Sequence, residues 1–98
     1  MPQSTLASEA RVATETPQRY LAQLVKHFAH KRPTTLAEDN ASGRIDFDAG
    51  PCLLQASPDL LLMRVEAATA EELARLQDVV ARHLLRFAFR SPPEIVWS

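Results

Sequence analysis

Two histidines three residues apart, within the stretch Lys26-His27-Phe28-Ala29-His30-Lys31, are the residues of this sequence best placed for chemistry. Imidazoles one helical turn apart can share a metal ion when a third ligand arrives from elsewhere. His83, Cys52 and Asp46 are the candidate suppliers. The pair lacks both the glutamate of a zinc-protease helix and the Glu-x-x-His pairing of carboxylate-bridged di-iron helices. The same stretch is rich in positive charge, and no acidic residue occurs between Thr16 and Ala37. Lys26, His27, His30, Lys31 and Arg32 therefore form a candidate patch for an anionic ligand. The plainest account needs no ligand. These residues fall at the end of a helix, where positive charge complements the unsatisfied carbonyls, and some of them could meet Asp46, Asp48 or Glu66.

Other catalytic combinations are scarce. The only glycines, Gly43 and Gly50, read as turn residues, so there is no glycine-rich phosphate loop. No serine occupies a strand–turn–helix elbow. Cys52 opens a strand on its inward side and reads as a small core residue, although a Cys52–His dyad can be drawn. Asp46 and Asp48 share the outward face of a strand, as solvated acids commonly do. His83 falls on the buried side of a second helix, where a core histidine with one satisfied hydrogen bond is expected. Arg75, Arg82 and Arg86 follow that helix's outer face, partly offset by Glu71 and Asp78. Enzyme activity is not expected.

The elements that must position these residues follow from periodicity. "SEARVATE" alternates as a strand with Ala10 and Val12 on one face. A helix is expected from Thr16 to Arg32, with Thr16 as N-cap and Pro17 as its first residue. Tyr20, Leu21, Leu24, Val25 and Phe28 form its buried stripe, and Pro33 ends it. Residues 33–43 lack periodicity and read as a long connection. "RIDFD", "CLLQA" and "LLLMRVEAA" are three strands of an antiparallel meander. Their inward residues are Ile45 and Phe47, then Cys52, Leu54 and Ala56, then Leu61, Met63 and Val65. The second helix opens with the capping box Thr69–Glu72 and buries Leu73, Leu76, Val80, Leu84 and Phe87. Leu85 and Phe89 lie off that stripe. Either the tail, through Ile95 and Trp97, or a second copy of the chain in a homodimer should cover them. The expected architecture is α+β, in the order β-α-β-β-β-α, with a four-stranded, mainly antiparallel sheet under two helices on one face.

Composition bounds the function further. Ninety-eight residues, with 46 % apolar and 23 % charged, suit one globular domain spanning 1–98, its first seven residues frayed. A net charge of -1, and aromatic residues assigned to core stripes, argue against nucleic acid as a partner. No apolar run approaches the roughly 18 residues of a membrane span. The N-terminus has neither the basic start nor the apolar core of a secretory signal. A lone cysteine forms no internal disulfide, and a cytoplasmic location is the expectation.

The strings "RYLAQLVKHFAHK", "RIDFDAGPCLL", "ARLQDVVARHLLRFAFR" and the terminal "IVW" resemble the small bacterial proteins grouped as domain of unknown function 2218. The resemblance runs from about Ala10 to Trp97 and agrees with the α+β reading. Relatives of that family occur alone and also joined to siderophore-interacting, flavin-dependent ferric-siderophore reductases. It therefore implies an accessory role in bacterial iron–siderophore metabolism, with a reductase as a separate partner. It brings no established catalytic residues and assigns no cofactor. Within the matched strings Arg86 joins the ligand candidates Lys26, His27, His30, Lys31 and Arg32. His27, His30, His83 and Cys52 make up the metal candidates.

Overall fold

Alternation of buried and exposed residues along five segments builds the sheet, and two amphipathic segments cover one of its faces. The computed structural model describes residues 5–98. Its elements are β1 (Leu6–Ala13), α1 (Pro17–Phe28), β2 (Thr34–Leu36), β3 (Ser42–Phe47), β4 (Gly50–Ser57), β5 (Leu60–Ala67) and α2 (Ala70–Phe87). The sheet order is β1-β5-β4-β3-β2, antiparallel throughout. The fold is α+β as expected, but the sheet has five strands, not four. Thr34–Leu36 pairs with Gly43–Ile45, inside the segment expected to be a bare connection. Three residues are too few for an alternation to register, so the strand is set by its partner. Of the segment 1–7 expected to fray, residues 1–4 lie outside those described, while Leu6 and Ala7 belong to β1.

Every second residue of the central strands points at the helices. Ala10 and Val12, Ile45, Cys52 and Leu54, and Leu61, Met63 and Val65 are all buried. They meet Leu21, Leu24 and Val25 from α1 and Leu76, Val80 and Leu84 from α2 in one core. Burying each of the larger side chains stabilises the fold by about 1.5–3 kcal/mol. Tyr20, Phe28, Phe47 and Phe87 pack at the margin of this core, half-buried. No helix among the described residues is long and apolar enough to cross a membrane.

Gly43 departs from its expected role as a turn residue, because it stands within β3. A Cβ there would come 2.7 Å from a methyl of Val25, so the missing side chain is what lets α1 lie close over the sheet. Gly50 opens β4 with φ at +156° and its Cα against the carbonyl of Glu66, where no side chain fits.

The ends of the helices and the tail agree with expectation only in part. Thr69 caps α2 by accepting from the Glu72 amide at 3.1 Å. The Glu72 carboxylate accepts from the Thr69 hydroxyl at 3.2 Å and not from its amide, so only one half of the expected capping box forms. Thr16 stands at the α1 N-cap without a side-chain cap bond. The C-terminal tail pairs with β1 rather than folding over α2. Trp97 bridges Ala10, and Ser98 exchanges backbone hydrogen bonds with Glu9 at 2.9 and 3.2 Å. Ile95 and Trp97 pack against the core, leaving Leu85 39 % and Phe89 69 % exposed.

Leu24, fully buried where α1 meets the sheet, gives a direct check on this packing. Leu24→Ala should cost roughly 2–5 kcal/mol in denaturant unfolding. A loss below about 1 kcal/mol would place α1 on the wrong face.

Candidate functional site

The two helices lie side by side on one sheet face, and the C-terminal end of α1 meets the C-terminal half of α2. There His27 of α1 meets His83 of α2, with His30 just past the helix end. α1 stops at Phe28, four residues short of the expected end at Arg32. The Lys31 and Arg32 amides both donate to the Phe28 carbonyl, at 3.0 and 2.8 Å, which turns the chain out of the helix ahead of Pro33. Lys26 and His27 thus occupy the last helical turn, while His30, Lys31 and Arg32 lie just beyond it.

His27 finds its nearest imidazole on α2. Its ring centroid lies 4.9 Å from that of His83. His27 also packs edge-on against Phe28 at 5.0 Å and Phe87 at 5.8 Å. Phe28 in turn contacts His83 at 4.8 Å and Phe47 of β3 at 4.9 Å. A row of rings therefore runs from the sheet to the surface, apolar at its root and basic at its tip. His83 Nδ1 lies 2.6 Å from the Val79 carbonyl, which can only accept. The Nδ1 proton is thereby fixed, and Nε2 is left as the free position.

The surroundings of this pair are positive. Partial desolvation lowers the His27 pKa from its ordinary value, and His83, Arg86, His30 and Lys31 add like-charge repulsion. Neither helix supplies a counter-charge here, since the sequence has no acid between Val79 and Pro93 or between Thr16 and Ala37. A cavity of about 340 Å³ opens beside His83 on α2, lined by Arg82, His83 and Arg86 and not by His27.

The remaining candidates scatter. Arg32 turns toward the β3–β4 hairpin and pairs with Asp48 at 2.6 Å. Asp46 is held by Arg44 at 2.8 Å, and Glu66 by Arg64 at 3.0 Å. Lys26 is exposed. Cys52 is fully buried between Ile45 and Val65, and burial pushes its thiol pKa up to about 12. A thiol so placed reaches neither a histidine nor solvent. Among the described residues no three His, Cys, Asp or Glu side chains form a group able to hold a metal ion.

Spacing along the chain pairs His27 with His30 and leaves Arg82 outside the candidate ligand set. The acid-free run from Val79 to Pro93, matching the one around α1, was the available signal for a second cationic helix end. A larger cavity of about 530 Å³ lies at the opposite end of α1, between Glu15, Tyr20, Asp59 and Pro92 among others. It holds neither histidine nor cysteine.

Similarity to other proteins follows the whole architecture. The model of a family described as uncharacterized proteins conserved in bacteria, DUF2218, matches residues 9–98. The NMR structure of PA4090 from Pseudomonas aeruginosa is similar at 39 % identity, with a TM-score of 0.79 and 94 % of each chain covered. No curated protein matches the chain.

Charge at His27 should be visible in stability. Its lowered pKa means that the unfolded chain binds more protons there than the folded one. The His27 contribution is therefore complete above the ordinary imidazole value and is lost as pH falls below it. The melting temperature of His27→Gln should drop less than that of the wild type between about pH 7 and pH 5, with parallel curves above. Identical acid slopes would mean that its neighbours do not hold His27 neutral.

Proposed function

The chain belongs to the DUF2218 family of uncharacterised bacterial proteins, and we propose that it acts as a non-catalytic module that binds an anionic ligand. The observation that carries this reading is the acid-free junction of two helices, with His27, His30 and Lys31 from one side and His83 and Arg86 from the other. Arg32 and Arg82 are tied to Asp48 and Asp78 at 2.6 and 2.9 Å. Lys31 and Arg86 have no such partner among the described residues. Two unneutralised cations beside two imidazoles attract anions and repel metal ions. This favours an anionic ligand over a metal shared by His27, His30, His83 and Cys52, and the burial of Cys52 favours it again.

The setting we propose is iron–siderophore metabolism, with a ferric-siderophore reductase as the partner, and its support is the fusion pattern of relatives. Genes for siderophore uptake or reduction beside the coding gene would strengthen it, and an unrelated neighbourhood would remove it. The chain's exposed Leu85 and Phe89 support a second contact surface, and we read a second copy of the chain as its occupant.

Two measurements test these readings. Malonate or phosphate, titrated at constant ionic strength into isotopically labelled protein, should shift the signals of His27, Lys31, His83 and Arg86 saturably. Arg86→Ala should weaken binding about tenfold or more, as loss of a hydrogen bond to a charged group does. Shifts spread evenly over Arg11, Arg75 and the other surface cations would dispose of the site. For the homodimer, sedimentation of the wild type beside a Leu85→Glu, Phe89→Glu variant should show a dimer only in the former. A wild type monomeric into the high micromolar range removes that reading.

A further inference from the structure

The hydrogen bond that fixes His83 also constrains what its ring can offer a ligand. With Nδ1–H donated to the Val79 carbonyl, the neutral ring presents a bare lone pair at Nε2. A lone pair repels an incoming anion. Nε2 becomes a donor only when the ring takes a second proton. His27, 4.9 Å away, meets the same condition from outside, because an added proton must sit beside Arg86, His30 and Lys31. An arriving negative charge reverses that repulsion. Of the elements packed around His27, α2 contributes His83 and Arg86, and α1 with its following turn contributes His30 and Lys31. β3 reaches the rings through Phe47, which carries no charge, and the next residue, Asp48, is paired with Arg32.

We infer that the helix junction takes a doubly charged tetrahedral oxyanion, as a phosphoryl or sulfuryl group presents, and that the His27–His83 pair gains a proton from solvent as it binds. The inference rests on the anionic-ligand reading and narrows it. Donors are supplied by two separate elements: Arg86 and His83 one turn apart on α2, His27 and Lys31 at the end of α1. A tetrahedral group offers acceptor oxygens in several directions at once, whereas a carboxylate holds its lone pairs in one plane. A second negative charge also outweighs a single guanidinium, which favours protonated imidazole over neutral. The proton is released again when the ligand leaves, and no covalent bond changes.

Sulfate is the deciding probe, because it keeps its double charge throughout the range in which histidine titrates. In the full chain at fixed ionic strength, sulfate should bind roughly tenfold more tightly at about pH 6 than at about pH 8. Calorimetry in buffers of different ionisation enthalpy should register proton uptake. His27→Gln and His83→Gln should each flatten the pH dependence, so either variant serves if the other fails to fold. Phosphate at about pH 8, itself a dianion, should match sulfate if shape and charge are read alone, and exceed it if the phosphoryl group is preferred. Acetate binding as tightly as sulfate, or a sulfate affinity equal at the two pH values, would overturn the inference. Saturable malonate binding at the junction with no sulfate binding would do the same while leaving the anionic-ligand reading intact. Failure of every anion to bind would remove both.

Discussion

β5 is paired along its length on both sides, to β1 and to β4, and its inward stripe of Leu61, Met63 and Val65 is fully buried. Only one face of this sheet is roofed. Both helices must therefore lie on the same side, sharing the apolar surface to which β5 and its neighbour β4 contribute. Two cylinders laid side by side on a sheet leave a seam where they meet. At the end of the seam the apolar stripes run out, and side chains can be both supported from below and open to solvent. His27 and His83 stand at that point, carried by Phe28, Phe47 and Phe87. The histidine pair is thus a product of layering and not of a local motif.

The charge pattern around it is sorted. Arg75 and Arg82 pair with acids four residues earlier on their own helix, and Arg44 and Arg64 with acids across or along the sheet. Such exposed pairs contribute little to stability, about 0–1 kcal/mol each. With Arg32–Asp48 they neutralise five of the eleven lysines and arginines. Of the six that remain unpaired among the described residues, Lys31 and Arg86 stand at the helix junction, where neither helix offers an acid. A chain with a net charge of -1 can in this way carry a local positive field.

Much of this was legible in the residues, and the parts that were not share a cause. The inward stripes, the Thr69–Glu72 cap and the start of α1 at Pro17 are written in local periodicity and turn chemistry. The inward placement of Cys52 followed from alternation along its strand. β2 escaped because three residues carry no period. Gly43 was misread because its reason is Val25, eighteen residues back on another element. Arg32 stands beside His27 in sequence, and the turn after Phe28 delivers it to Asp48, one of the acids that the helix-end account expects these cations to meet. The His27–His83 contact is invisible to any window along the chain, since it depends on how two helices are offset on a common sheet.

The pairing of β1 carries a consequence for how the chain reaches this structure. The β3–β4–β5 meander joins neighbours through short hairpins, whereas Leu6 must find Ala67 and Glu9 must find Ser98. Loop closure over such separations is slow relative to hairpin formation. The meander can form while the outer edge of β5 is still bare, with Leu61, Met63 and Val65 half-covered. During that interval β5 is an unsheltered template of the kind on which strands from other molecules dock. β1, with the tail beside it, is the element that closes this edge. The rate at which β1 arrives therefore governs how much of the chain is lost to aggregation during synthesis or refolding.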